Sequence, residues 1–187
     1  MELEQAISSR RAVRDYSEET IPRSLLIKLM EAAVQAPSAV NEQPWLFTVV
    51  QDRALLAGIS RNAKALLLQY PPMNIAAHHL RNLLEEPAFD IFYHAPALIV
   101  ISSASHGSWA VENCALAAQN LMLTAHALGL GSCWIGFAQP WLATPAGKAI
   151  LQLPPESLPV APIIVGRPKL PAQAVPRSAP KIHWIGP

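Results

Sequence analysis

The chain has 187 residues, enough for one domain that buries its own core without disulfide bonds or metals. Its 51% hydrophobic and 14% charged content is unusually apolar, since charged residues make up about 25% of a typical soluble domain. This excess predicts an oligomer interface first and a membrane surface second. The net charge of +1 excludes a general electrostatic attraction to nucleic acid.

The membrane interpretation can be tested on one stretch. No Asp, Glu, Lys or Arg occurs between Glu112 and Lys148, which exceeds the spanning length of about 20 residues. Amides and prolines interrupt it, and Gly129 and Gly131 break it, so it predicts a buried helix, a turn and a buried strand. The N-terminal MELEQAISSRR has no apolar segment typical of a signal peptide. We therefore expect a cytoplasmic protein with no membrane contact.

The cysteines and histidines do not form a pattern typical of a metal site. Cys114 and Cys133 lie in apolar surroundings, which favours buried small hydrophobic residues over a redox role. His78 and His79 are adjacent and would point about 100° apart on a helix, which is poor for chelation. We predict no metal.

The first half of the chain alternates helix and strand signals. Residues 3–9 predict a short helix, and a second helix should begin with Thr20 as its cap and Pro22 in its first turn. The run WLFTVVQD is rich in β-branched and aromatic residues, which indicates a strand. Helices are predicted at 53–69 and, after two prolines, at 74–86.

The second half contains the most apolar elements. ALIVISSA is a continuous apolar run, typical of a strand covered on both faces. The longest helix should run from Ser108 to about Leu128, capped by Ser108 or Gly107 and ended by Gly129. SCWIGFA and APIIVG predict two more strands around a short helix at 140–152. The result is a helix-rich α+β fold.

The C-terminal region from Pro154 is rich in proline, with nine of the chain's eighteen prolines. Such a segment is not expected to be helical or central in a sheet. It could be a disordered end, but Ile182, Trp184 and Ile185 favour burial. An extended arm over about 154–187 that wraps a second subunit explains both observations.

Three arginines follow the first helix. On a helical or turning segment Arg10 and Arg14 would project from one side and Arg11 from beside them. Planar guanidinium groups match phosphate oxygens, so the three could form a phosphate clamp. A solvated basic helix end, paired with nearby glutamates, explains the pattern equally well.

The stretch APSAVNEQPW, residues 36–45, connects the second helix to the first strand. Its small and amide side chains could form a polar connection, or Ser38, Asn41 and Gln43 could face a ligand. The residues alone leave both interpretations open.

The stretch GLGSCWIG does not fit a dinucleotide-binding fold, because here the helix precedes the glycines and the strand follows them. Gly136 after Trp134 and Ile135 would let a flat ligand lie close to the backbone, although core packing explains Trp134 equally well. The sequence has no motif for nucleophilic or paired-carboxylate catalysis. The reaction is therefore expected to belong to a cofactor.

In order, the stretches SSRRAVRDYSEETIP, AAVQAPSAVNEQPWLFTVV, AAQNLMLTAHALGLGSCWIGF and PIIVGRP with VPRSAPKIHW resemble the nitroreductase family of FMN-dependent oxidoreductases. The resemblance covers most of residues 5–184. It implies a single domain over 1–187 with a three-layer α/β/α sandwich and a small, mainly antiparallel sheet. It also implies an intertwined homodimer with exchanged arms and two FMN sites at the interface.

The resemblance further implies which residues contact FMN. Arg10 and Arg14 would hold the phosphate and ribityl chain, with Arg11 near the polar edge of the ring. The remaining contacts would be Arg177 at the phosphate, Trp134, Ile135 and Gly136 at the ring face, and Pro37, Ser38, Ala39 and Asn41 from the other subunit. Gln43 and Trp45 would support their loop.

The sequence departs from the family pattern at two positions. Ala12 stands where many relatives have a serine that bonds the cofactor, and Phe137 follows Gly136 where relatives often have a second glycine. Residues 51–95 are generic, and Asn62 and Asn74 are only candidates for a polar contact to the ring.

The implied reaction is ping-pong: hydride from NADH or NADPH to the flavin, then to a nitroaromatic, quinone or enone acceptor. No protein side chain is expected to act as acid, base or nucleophile, because the flavin carries the hydride. The alternatives are a flavin enzyme of this fold that does not use a nicotinamide, such as a flavin-fragmenting or dehydrogenating enzyme, and a non-catalytic FMN-binding protein.

Overall fold

The computed structural model describes residues 1–70, 77–104 and 106–186. A four-stranded antiparallel sheet lies at its centre, in the strand order β1-β2-β4-β3, where the strands are β1 (Trp45–Val50), β2 (Ala97–Ser103), β3 (Gly131–Trp134) and β4 (Leu158–Gly166). The described helices are α1 (Leu3–Ser9), α2 (Arg23–Ala33), α3 (Arg53–Gln69), α4 (Ala77–Glu85), α5 (Ala110–Ala127), α6 (Gln139–Leu142) and α7 (Pro145–Ile150).

The sheet separates two apolar cores, so the fold has three layers. One sheet face packs against α3, α4 and α6, and the other packs against α2 and α5. All seven residues of β2 are buried, because helices cover that central strand on both faces. The α+β class and the predicted α/β/α sandwich are confirmed.

Two of the predicted helix starts are wrong, while a third is correct. α2 begins at Arg23, because Pro22 has an extended ψ of 141° and is itself the N-cap, so Thr20 is not the cap. α5 begins at Ala110 after Trp109, with neither Ser108 nor Gly107 as the cap. α3 occupies the predicted 53–69, and the Asp52 carboxylate accepts a hydrogen bond from the third residue of that helix at 2.9 Å.

The predicted end of α5 at Gly129 is confirmed. Gly129 has a left-handed φ of 74°, which glycine adopts without steric cost. The N–H of Leu130 donates to the carbonyl of Ala125 at 2.8 Å, and the N–H of Gly129 donates to the carbonyl of His126 at 3.0 Å. These two bonds form a Schellman motif, which turns the chain directly into β3.

The strand predicted over APIIVG is confirmed as part of β4, whose central position corrects the expectation that the proline-rich region is not central in a sheet. β4 lies between β2 and β3, and it includes Pro159 at a register shift opposite Ser102. The carbonyl of Pro162 accepts a hydrogen bond from the N–H of Ile135 at 2.8 Å. In an antiparallel pair the N–H of residue 162 would bond back to the Ile135 carbonyl, but proline has no N–H. The Ile135 carbonyl accepts from the N–H of Ala138 instead. The extended C-terminal arm therefore comprises residues 169–186, starting well after 154.

Three further predicted boundaries change. The strand over SCWIGFA ends at Trp134, because Gly136–Ala138 forms a 3-10 turn. The helix at 140–152 is two short helices, and the Thr144 hydroxyl caps the second by accepting from the N–H of Gly147 at 3.1 Å. The described part of the helix predicted at 74–86 is α4, and Asn74 lies outside the described residues. Within the described ranges, no helix combines the length and apolarity needed to cross a membrane.

Candidate functional site

Residues 10–16 run as an extended segment beside β3, so the predicted helical or turning geometry of this segment is wrong. Ala12 pairs in parallel with Ser132, and the N–H of Val13 donates to the Ser132 carbonyl at 3.1 Å. A Cβ on Gly131 would lie 2.8 Å from the Val13 side chain, so the absence of a side chain permits this approach. Because side chains four residues apart share a side in a strand as well as in a helix, the grouping of Arg10 with Arg14 persists.

Four arginines come together along this segment, and we call Arg10, Arg11, Arg14 and Arg177 the arginine cluster. Arg11 and Arg14 line a cavity of about 500 Å³ together with Arg177 from the C-terminal arm. Burial lowers the pKa of Arg10, and the positive charges of Arg11 and Arg177 lower it further. The structure thus brings together all four arginines that the resemblance places at FMN.

The nearby carboxylates are bonded to other cations. Asp15 pairs with Lys169 at 3.2 Å, and Glu19 pairs with Arg167 at 2.8 Å. Among the ion pairs of the described residues, none involves the arginine cluster. The described residues thus give no support to the alternative of a solvated basic helix end paired with nearby glutamates. The site concentrates positive charge that a bound anion would neutralise.

Arg11 is held in place by the end of α1. Its Nη1 donates to the carbonyls of Ser8 at 2.8 Å and Arg10 at 2.6 Å, which satisfies carbonyl groups that the helix end leaves free. Its Nε is buried and has no hydrogen-bond acceptor. One buried donor of the arginine cluster therefore remains unsatisfied within this chain.

Arg14 lies against an aromatic ring at the other end of the segment. Its guanidinium carbon is 5.9 Å from the centre of the Tyr93 ring, within cation–π range. Burial raises the pKa of the Tyr93 phenol and of the Cys133 thiol, and in both cases the charge of Arg14 opposes that rise. Tyr93 and His94 both have left-handed backbones, with φ of 53° and 55°, so this turn is a strained one. Sequence reasoning missed Tyr93.

The segment from Trp134 to Gly136 is only partly available to a ligand. Trp134 is partly buried against the α2–α5 core, while the Ile135 side chain is buried in the opposite core and its N–H is bonded to Pro162. Within this chain, Ile135 thus provides neither a ring-covering side chain nor a free donor, contrary to the prediction. Gly136 is exposed, and a Cβ there would meet no atom within 4 Å, so its backbone offers an open face.

The 37–45 loop is fixed to the start of α5 by Asn113, a residue that the sequence analysis did not select. Asn113 is 1% exposed; its Oδ1 accepts from the N–H of Ala39 at 2.9 Å, and its Nδ2 donates to Glu42 at 3.3 Å. The Asn113 carbonyl accepts from the indole N–H of Trp45 at 2.8 Å. The supporting role expected of Trp45 is confirmed. An amide on the buried face of an apolar helix was the available signal for Asn113.

The backbone of the 37–45 loop is unusual. Val40, Asn41 and Gln43 have left-handed φ values of 46°, 56° and 50°, a conformation that is strained for a β-branched residue such as valine. The Ser38 hydroxyl accepts from the N–H of Gln43 at 3.0 Å, and the Asn41 side chain accepts from that of Gln43 at 2.9 Å. The Val40 side chain is 98% exposed. Gln43 thus orients the loop, as expected.

The loop and the arginine cluster lie at opposite ends of α5. Asn113 contacts the loop near the start of the helix, and His126 contacts Ser9, beside the cluster, at its end. Thirteen residues of helix separate the two contacts, which corresponds to about 20 Å. One chain therefore does not bring the predicted Pro37–Asn41 group to the arginine cluster. Asn62 is exposed on α3, which packs against the sheet face opposite to that of α5.

The fold and site define a three-layer α+β protein with an arginine cluster at one edge of its sheet, and no ion pair among the described residues neutralises this cluster. The chain matches the nitroreductase family over residues 7–167, and it belongs to that family. It is 30% identical to a putative NADH dehydrogenase/NAD(P)H nitroreductase of Methanothermobacter thermautotrophicus, over 90% of this chain and 78% of that protein.

Solved structures agree with this assignment. A nitroreductase with bound FMN from Bacteroides fragilis superposes with a TM-score of 0.85 at 27% identity, with all of both chains covered. An iodotyrosine deiodinase bound to FMN and 3-iodo-L-tyrosine superposes with a TM-score of 0.78 at 26% identity, over 99% of this chain and 100% of that one.

Proposed function

We propose that this protein is a homodimeric, FMN-dependent oxidoreductase that uses NADH or NADPH to reduce a nitroaromatic, quinone or enone acceptor. The observation that carries the proposal is the arginine cluster, which forms no ion pair with a carboxylate among the described residues, in a fold shared with a nitroreductase that has bound FMN. Guanidinium groups bind phosphate oxygens in pairs, so the cluster suits the phosphate end of this cofactor.

The other residues of the site fit the rest of FMN. Arg10 and Arg177 would bind the phosphate, Arg14 the ribityl chain, and the unbonded Nε of Arg11 the polar edge of the ring. The open backbone at Gly136 and the side chain of Trp134 would lie against the ring face. Bound FMN would supply the redox chemistry, accepting a hydride from the nicotinamide and passing it to the acceptor in a ping-pong sequence. The arginines would provide positive charge beside the ring.

The dimer is proposed because one chain leaves the site incomplete. The 37–45 loop lies about 20 Å along α5 from the arginine cluster, so Pro37, Ser38, Ala39 and Asn41 reach a flavin only in a second subunit. The protomer also exposes large apolar side chains that an interface would cover. On α5 and the residue before it these are Trp109, Val111 and Leu116, and on the C-terminal arm they are Ile182, Trp184 and Ile185.

The visible absorption spectrum tests the cofactor. Purified protein mixed with FMN should retain it through gel filtration and show a flavin band, and stopped-flow mixing with NADH or NADPH should bleach that band. A protein that stays colourless after FMN addition would contradict the proposal. A bound flavin that neither nicotinamide reduces would instead support the nicotinamide-independent alternative.

A second candidate is reductive deiodination, favoured by the similarity to the deiodinase complex with 3-iodo-L-tyrosine. That reaction replaces a C–I bond by C–H, takes two electrons and a proton, and releases iodide. Titration of the flavin-loaded protein with 3-iodo-L-tyrosine distinguishes the two. Quenching of flavin fluorescence and iodide release after reduction would favour deiodination, whereas no binding at millimolar substrate would leave the nitroreductase-type proposal.

A further inference from the structure

His126 forms a side-chain contact that joins the two helix ends next to the arginine cluster. Its Nε2 lies 2.7 Å from the hydroxyl oxygen of Ser9, the last residue of α1. His126 is in the last turn of α5, whose end is fixed by the Schellman motif at Gly129. The position of the imidazole is therefore set by two rigid helix ends.

The hydrogen-bond partners of Ser9 determine which nitrogen of His126 carries the proton. The Ser9 hydroxyl donates its only hydrogen to the carbonyl of Gln5 at 2.6 Å. The contact with His126 therefore has the imidazole as the donor, through Nε2–H. Nδ1 is then the nitrogen without a proton in the neutral ring, and it is the one that titrates.

The imidazole lines a cavity of about 340 Å³ beside the arginine cluster. Ser9, Arg10 and Arg11 line the cavity from the α1 side, and Met1 also lines it. The residues of β3 and the C-terminal arm around it are uncharged, and no carboxylate is among its described lining residues. Burial and the charges of Arg10 and Arg11 lower the pKa of His126, so the free protein keeps it neutral near pH 7.

We propose that His126 is a positioning residue for the flavin phosphate and that it takes up a proton when FMN binds. This inference rests on the function proposed above. A phosphate dianion at Arg10 cancels the positive charge that disfavours the imidazolium, so the bound state favours protonation. Proton uptake means that the affinity for FMN increases as pH falls. The increase occurs between the pKa of His126 in the free protein, which lies below 6.5, and its higher pKa in the FMN complex.

The test compares FMN binding by wild type and His126→Gln between pH 6 and pH 8. FMN changes its own phosphate charge near pH 6, but it does so for both proteins, so the ratio of their affinities isolates the histidine. We expect this ratio to be about three- to tenfold larger at pH 6 than at pH 8, since one pKa unit of coupling equals a tenfold change. A ratio that does not change with pH would overturn the proposal and leave a purely structural role for the Ser9 contact.

Two controls define the result. Riboflavin lacks the phosphate, so its affinity ratio should stay constant with pH, and His94→Gln, at an exposed histidine paired with Asp90, should behave as wild type.

If His126→Gln does not fold, calorimetry of the wild type in buffers of different ionisation enthalpy still decides. Between pH 6.5 and pH 7.5, FMN binding should take up protons and riboflavin binding should not, and zero uptake with FMN throughout that range would overturn the proposal. Absence of any FMN binding would refute the proposed function itself.

Discussion

Two variants that each fail to bind FMN should together restore one site when they are combined in a single dimer. The first variant, Arg10→Ala with Arg14→Ala, removes two guanidiniums from the arginine cluster. The second, Ser38→Glu, places a carboxylate on the 37–45 loop at a position with ordinary extended backbone, φ of −134° and ψ of 150°. The heterodimer would combine the intact cluster of one subunit with the intact loop of the other.

The expected magnitude follows from the contacts removed. A hydrogen bond with one charged partner is worth about 1.5–3 kcal/mol, so loss of one from Arg10 to the phosphate and one from Arg14 to the ribityl chain should weaken FMN binding by about 10²–10⁴-fold. In a two-fold symmetric dimer both faulty surfaces of the heterodimer fall in the same site. The other site is complete, so a heterodimer should bind about one FMN with wild-type affinity, against two for the wild-type dimer.

Co-expression with two different affinity tags isolates the heterodimer, and the flavin absorbance per protein measures its FMN content. Each homodimeric variant provides the baseline, and a wild-type heterodimer with both tags gives the full content. A heterodimer with no more flavin than the two homodimeric variants would refute the shared site. Such a result would mean that the loop of one subunit and the arginine cluster of the other do not form one FMN site.

Three further outcomes are expected from single substitutions. Gly131→Ala puts a Cβ 2.8 Å from Val13, which should cost about 1–3 kcal/mol of stability in urea unfolding and weaken FMN binding; unchanged FMN affinity would separate the 10–16 segment from the site. Asn113→Ala leaves the N–H of Ala39 without its acceptor, which should cost about 1–3 kcal/mol and speed FMN dissociation; an unchanged dissociation rate would remove the loop from the site. Burial raises the pKa of Cys114 from its ordinary 9.0 to about 12. Above pH 9 the unfolded thiol ionises while the folded one stays neutral, so stability should fall by about 1.4 kcal/mol per pH unit, a slope that Cys114→Ala should reduce; equal slopes would contradict this account.

The elements that could be predicted from the sequence are those with a local signal. The helix predicted at 53–69 has the observed bounds of α3, and the apolar run ALIVISSA predicted a strand buried on both faces. Gly129 correctly marked the end of α5. The grouping of Arg10 with Arg14 was also predictable, because side chains four residues apart share a side in either regular conformation, whereas Arg177 came only from the resemblance.

The rest depended on contacts between distant segments. A central strand tolerates Pro162 because the Ile135 carbonyl, which residue 162 would otherwise bond, accepts from the N–H of Ala138. No local sequence pattern reveals this contact. Asn113 supports a loop through its side chain, 74 residues earlier at Ala39, and through its carbonyl, 68 residues earlier at Trp45. Burial of Ile135 in the core could not be predicted either. Side chains alternate between the two sheet faces along β3, but the pairing of β3 with β4 is needed to know which face each one occupies.

The proline at 162 also limits how this protein can change. Because Pro162 has no N–H, β3 cannot gain the bond that would prolong its pairing with β4, and the chain turns at Gly136 whatever side chains precede it. The location of this turn is a property of the backbone. Substitutions at Trp134 or Phe137 would therefore alter the shape and polarity of the surface that follows β3, while the position of the turn stays fixed.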